Sequence, residues 1–94
     1  MLPFKETLVE SNLKYDEVMR EFSKDTSNED LNWHRDRENR HVKVISGIEW
    51  YIQFENELHR LMPEGFSFII NKNKWNRIIN KNSRNRTVRI RKYK

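Results

Sequence analysis

The residues best suited to chemistry in this 94-residue chain crowd towards its end. Positions 72–94 hold ten bases (Lys72, Lys74, Arg77, Lys81, Arg84, Arg86, Arg89, Arg91, Lys92, Lys94) and no acid. Apolar and aromatic residues are interleaved with them: Trp75, Ile78-Ile79, the alternating Val88-Arg89-Ile90-Arg91, and Tyr93. On a strand, Val88 and Ile90 would face a core while Arg89 and Arg91 point outward beside Tyr93. Guanidinium forks match phosphate oxygens, and a neighbouring ring stacks on an unpaired base, so the pattern suits single-stranded RNA. The predicted contact set is Lys72, Lys74, Arg77, Lys81, Arg84, Arg86, Arg89, Arg91, Lys92 and Tyr93. A second reading stands beside it. Residues 1–30 carry eight acids against four bases, and residues 31–71 six against five. The cationic segment can therefore pair with the acidic first third, within one chain or across a homodimer, instead of meeting a polyanion.

Other chemistries fall away on composition. Without cysteine there is no disulfide, thiolate metal site or cysteine nucleophile. Two glycines cannot build a phosphate-cradling loop, and no serine has the setting of a strained nucleophile turn. Glu55 and Glu57 read as solvated turn carboxylates rather than an acid–base pair, and His59 as a strand-face residue. Trp33, Trp50 and Trp75 are expected in the core, since the chain has no alanine and few other bulky fillers. No apolar run approaches the ~20 residues of a membrane span, so a soluble, cytoplasmic protein with no membrane contact is expected.

These residues must be positioned by short elements. Tyr15, Val18, Met19 and Phe22 recur at helical spacing, with Ser11 or Asn12 as cap, Asp16 and Glu17 in the first turn and Arg20 and Lys24 near the end. The pattern predicts one amphipathic helix over about 13–24, inside an N-terminal extension of residues 1–30. Beyond residue 30 the period becomes two. Ile48, Trp50, Ile52 and Phe54 alternate with polar neighbours, as do Phe66, Phe68 and Ile70, and Val88 and Ile90. Strands are predicted near 31–36, 41–46, 48–54, 57–62, 66–70, 75–79 and 86–92, separated by turn signals such as Ser46-Gly47, Pro63-Glu64-Gly65 and Asn71–Asn73. Seven short strands with close turns make a mainly β domain over 31–94, a small barrel or sandwich ending in the basic strand.

Two stretches of this domain resemble the paired signature motifs of the cupin superfamily. The second motif runs Gly, five residues, Pro, one residue, Gly, two residues, His, three residues, Asn. Gly65, Asn71, Asn73, Asn76 and Asn80 keep that spacing, with Asn in the Pro, Gly and His positions. The first motif runs His, one residue, His, three or four residues, Glu, six residues, Gly. Here His34, Asp36, Arg40 and Gly47 take those places, with His41 as the candidate at the longer spacing. The resemblance covers residues 31–82 and implies a cupin-like β-barrel whose first-motif groups converge with the second-motif position inside the barrel. Carried over by position, the pocket set is His34, Asp36, Arg40 and Asn76. His34 and Asp36 are acceptable ligands for Fe, Mn or Ni, whereas Asn is a weak one and Arg ligates nothing. The resemblance therefore implies a depleted metal site and no firm cofactor. Three readings of the pocket stay open: a hydrogen-bonded structural cluster, a donor-rich site for an anion, and a residual divalent-metal site.

The resulting expectation is a non-enzymatic binding or regulatory protein on a cupin scaffold, engaging RNA or a nucleic-acid-handling protein through its basic C-terminal face. The rivals are a small metal-dependent cupin enzyme of dioxygenase or isomerase type at His34, and a structural homodimer that covers open strand edges. In size and composition the chain is also similar to the small accessory proteins of large bacteriophages.

Overall fold

The computed structural model describes residues 4–26, 31–47, 50–81 and 85–94. Eight strands are formed: β1 (Phe4–Ser11), β2 (Tyr15–Phe22), β3 (Arg40–Ser46), β4 (Trp50–Phe54), β5 (Arg60–Leu61), β6 (Ser67–Ile70), β7 (Asn76–Asn80) and β8 (Arg86–Tyr93). They make a five-stranded sheet in the order β1-β2-β8-β3-β6 and a three-stranded sheet in the order β5-β4-β7, all neighbours antiparallel. The strands that build the core alternate between buried and more exposed positions. Val18 and Phe22, Val42 and Val44, and Val88 and Ile90 point inward from the large sheet, and Trp50, Ile52 and Phe54 from the small one. These side chains share one core with Leu31, Met62 and Ile70.

The predicted helix over 13–24 is not formed. Tyr15–Phe22 is a strand, paired on one side with β1 and on the other with β8. Val18, Arg20 and Phe22 satisfy an inward period of two as well as Tyr15, Val18, Met19 and Phe22 satisfy the helical one. Tertiary partners decide between the two periods. Phe22 packs on Phe4 and Trp50, with ring centroids at 5.4 and 5.3 Å, and Glu17 meets Arg91 of β8 at 2.8 Å. The residue expected to cap the helix does related work elsewhere. Asn12 Oδ1 accepts from the Lys14 and Tyr15 N–H groups at 2.8 and 3.0 Å, an Asx-type turn that reverses the chain between β1 and β2.

The β domain follows the predicted spans closely, with two exceptions. Residues 31–36 contribute only an isolated bridge, His34 to Asn76, and 57–62 shrinks to the two residues of β5. The first two residues of the predicted 48–54 strand lie outside the described residues. Turn chemistry is as the residue types suggest. Asn73 takes φ 65° and Gly65 φ 81°. Gly47, at φ 105°, lies so close to β8 that a Cβ would stand 2.5 Å from the Asn85 carbonyl and 3.0 Å from Arg86 Cα. Among the described residues no helix is long and apolar enough to cross a membrane.

Candidate ligand site in the barrel

Between the two sheets lies a cavity of about 370 Å³, open at one side and mostly apolar. Phe22, Val42, Val88 and Ile90 reach it from the large sheet, and Ile52 and Ile78 from the small one. Beside Asn32, its polar wall holds Arg20, His34, Asp36, Arg40, Asn76 and Arg86.

Four of these six are the pocket residues predicted from the sequence, and the fold brings them together. His34 and Asn76 exchange backbone hydrogen bonds in both directions, at 3.0 and 2.9 Å, which fixes the two motif segments against each other. Asp36 is buried and is the common partner of the group. Its Oδ1 lies 3.3 Å from Arg40 Nη1 and 3.5 Å from His34 Nε2, and its Oδ2 accepts from Asn76 Nδ2 at 3.4 Å. Arg40 also grips Glu38 through Nε and Nη2, both at 2.8 Å. His34, its side chain 47% exposed, stands at the rim with Nδ1 3.1 Å from the Asn32 carbonyl.

This donor set does not fit a metal. A guanidinium sits where a further ligand would be needed, and its charge 3.3 Å from Asp36 Oδ1 already neutralises the one good anionic donor. Asn76 supplies its N–H₂ end to the carboxylate, in the orientation that satisfies Asp36 rather than a cation. Among the described residues no three His, Cys, Asp or Glu side chains cluster.

Two arginines inside the barrel were not singled out as pocket residues. Arg20 enters from β2 as the inward-facing member of its alternation. It is held by Glu6 at 2.6 Å, and its guanidinium lies 3.8 Å from the Phe4 ring centroid. Burial lowers its pKa, against the opposing pull of Glu6. Arg86 begins β8 and is 1% exposed. Its Nη2 donates to the Met62 carbonyl at 2.7 Å, while Nε and Nη1 have no partner among the described residues. Desolvation lowers its pKa to about 10, a little offset by Glu64. It is therefore still cationic at neutral pH, a buried charge with no ion pair among the described residues. The available signal was parity: Arg86, Val88 and Ile90 are i, i+2 and i+4, so a strand that buries the valine and isoleucine buries Arg86 as well.

The remaining predicted RNA contacts are not brought to one surface. Lys74 pairs with Glu57 at 3.3 Å, Arg77 donates to Gln53 at 2.9 Å, and Lys81 lies 3.1 Å from His59 Nε2, all around the small sheet. Lys72 occupies the exposed turn before β7, where its N–H donates to Asn39. Arg89, Arg91 and Tyr93 project from the outer face of the large sheet. Lys92 turns to Glu6 at 3.3 Å, and Arg84 lies outside the described residues. Several of these cations thus meet the acidic first third of the same chain, as the alternative charge reading expected: Arg91 and Arg89 meet Glu17, Lys92 meets Glu6 and Lys94 meets Asp16. Of the three tryptophans expected in the core only Trp50 is enclosed; Trp33 and Trp75 are 40% and 39% exposed, with Arg77 and Arg35 laid over their rings.

Solved structures place this architecture. The chain superposes on an RmlC-like cupin with a double-stranded β-helix fold from Methanocaldococcus jannaschii with a TM-score of 0.77, at 14% identity, covering 99% of this chain and 82% of that one. An RmlC-like cupin from Shewanella frigidimarina matches with a TM-score of 0.80 at 13% identity, over 99% of this chain and 78% of that one. The chain has the cupin fold. The cobalt(II) form of HppE in complex with Tris buffer shares it with a TM-score of 0.78 at 12% identity, over 98% of this chain and 54% of that one. No protein-family model and no curated protein matches the sequence. The cupin fold explains why residues so far apart as His34, Arg86 and Asn76 line one cavity: both sheets close over the same interior.

Proposed function

We propose that this chain is a metal-independent binding protein that takes a small organic anion into its cupin barrel. Arg86 carries this reading. It is a buried cation in the lining of a mostly apolar cavity, and two of its N–H groups have no hydrogen-bond partner among the described residues. A buried unpaired charge costs several kcal/mol or more, and an anion supplied from outside relieves that cost. Arg20 and Arg40 are each paired with carboxylates, which leaves Arg86 as the cation for an anionic head, and the apolar walls suit a ligand with a hydrocarbon body behind a carboxylate or phosphate. Calorimetric titration with a panel of short-chain carboxylates and organic phosphates tests the reading. At least one should bind, and Arg86→Met should weaken it about 10- to 100-fold, the loss of one to two charge-assisted hydrogen bonds. Stoichiometric Fe, Mn or Ni in the purified protein, lost on His34→Ala, would instead establish the metal-dependent enzyme.

A second reading is favoured by a separate observation. Arg89 and Arg91 leave β8 on the outer face while Val88 and Ile90 are buried beneath them. This geometry supports engagement of RNA, or of a protein that handles it, through the basic face.

A further inference from the structure

We infer that the outward face of the five-stranded sheet is a platform for single-stranded nucleic acid, built across β2, β8 and β3 rather than from the C-terminal segment alone. The inference rests on the basic-face reading and is independent of the barrel ligand.

Strand alternation sets the face. With Val42, Val44, Val88 and Ile90 inward, Lys43, Arg89 and Arg91 are outward, and His41 shares their parity. The register then puts like beside like: Lys43 directly opposite Arg89, and His41 directly opposite Arg91. Rows two residues apart are about 6.8 Å from each other and the strands about 4.8 Å, so these four positions form one compact grid. Acids flank the grid, with Glu17 and Glu21 on β2 and Glu10 opposite Glu17 on β1, but only Glu17 pairs with its cations among the described residues. Glu17 alone serves both arginines, at 2.8 Å from Arg91 and 4.0 Å from Arg89, and Lys43 has no ion pair among the described residues. Like charges directly opposite on adjacent strands oppose folding, so the fold itself does not account for the Lys43–Arg89 pair. A polyanion laid across the strands does.

Rings adjoin the grid. Tyr15 and Tyr93 are directly opposite at its end, edge to face with centroids 5.8 Å apart, and Arg91 lies 4.6 Å from the Tyr15 centroid. Cations for phosphates beside flat rings for bases are the features that hold a single strand without reading a groove. A sheet face has no helix or ribbon projecting to enter a duplex major groove, which favours unpaired nucleic acid over duplex.

Fluorescence anisotropy with a short labelled single-stranded RNA, its DNA equivalent, the matching duplex and polyglutamate tests the assignment. Lys43→Glu should weaken single-strand binding about tenfold and lower the salt slope by about one phosphate contact. The same change should raise the melting temperature, because it turns a like-charged pair into an ion pair with Arg89; loss of binding is thereby separated from misfolding. Arg77→Glu and Lys81→Glu, on the other sheet, should change binding less than twofold. If Lys43→Glu binds normally while Arg89→Glu with Arg91→Glu abolishes binding, the platform across β3 is wrong and the basic-face reading survives on β8 alone; if only the Arg77 and Lys81 changes abolish binding, both are overturned. No binding of either single strand at low salt overturns both. Tighter binding of duplex, or equal binding of polyglutamate, overturns the assignment to single strands. Comparable affinity for RNA and DNA supports it, and a preference for either names the natural strand.

Discussion

The guanidinium of Arg86 lies 5.9 Å from the ring centroid of Trp50, and these are the two largest side chains wholly enclosed by the barrel. The ring face offers a cation some electrostatic compensation. It does not satisfy Nε and Nη1, which have no hydrogen-bond partner among the described residues.

Stability and ligand affinity should therefore move in opposite directions at this position. Arg86→Met removes a buried charge and fills similar volume, a kind of exchange that is often neutral or stabilising by 1–4 kcal/mol. Thermal unfolding of the unliganded variant should show a melting temperature equal to or above that of the wild type, with anion binding lost. A variant that melts far lower would mean that the Met62 contact, not ligand binding, is the reason for Arg86.

Asp36 gives the converse. Its carboxylate is the only acid on the polar wall of the cavity among the described residues and is held by Arg40, His34 and Asn76. Asp36→Asn should tighten anion binding roughly tenfold, since one negative charge leaves the wall, and should lower stability by about 3 kcal/mol as Arg40 loses a buried partner. Calorimetry and denaturant titration on the same preparation read both effects.

Gly47 couples the first motif to β8. A Cβ there meets the Asn85 carbonyl at 2.5 Å, and φ 105° is unfavourable for any L side chain. Gly47→Ala should cost about 2 kcal/mol or more, whereas Gly65→Ala, with open space around it, should cost about 1 kcal/mol. Denaturation midpoints of the two variants decide it. Equal losses would mean that only backbone conformation matters.

Acid should loosen the first hairpin before the core. Burial pushes Glu6 up, yet its bonds to Arg20 and Lys92 outweigh this, and its carboxyl titrates below the ordinary 4.5. Asp16 is lowered as well, by the Ser11 hydroxyl and Lys94. Depressed folded-state values mean that the folded protein holds fewer protons than the unfolded chain. This stabilisation is complete above the ordinary carboxylate range and is lost as pH falls through the lowered values. Melting temperature should fall below pH 4.5, and Glu6→Gln should flatten that dependence.

The β domain and the four converging pocket residues were legible because period-two alternation and motif spacing are local facts. Gly65, Asn73 and Asn76 sit at a turn, a positive-φ position and a buried strand start, as the spacing implied. The segment 15–22 was not legible, because its apolar residues satisfy both periods and its true partners, Phe4 and Arg91, lie far along the chain or across a turn. Arg86 was read as a surface cation from its charge, although the parity of its own strand places it inside. The basic grid was half visible: Arg89 and Arg91 came from β8, but Lys43 and His41 join them only through strand register, which no local pattern encodes.

The strand order of the large sheet carries a further consequence. β8 comes after every other strand in the chain yet lies in the middle of the sheet, between β2 and β3. Until it docks, the N-terminal hairpin is not joined to β3 and β6 within the large sheet. Closing this sheet requires contacts between residues some seventy positions apart, the kind of non-local step that slows folding. Before β8 docks, β2 and β3 each present a bare strand edge, most open to aggregation or capture in that interval. β8 is the seam that makes the large sheet one object.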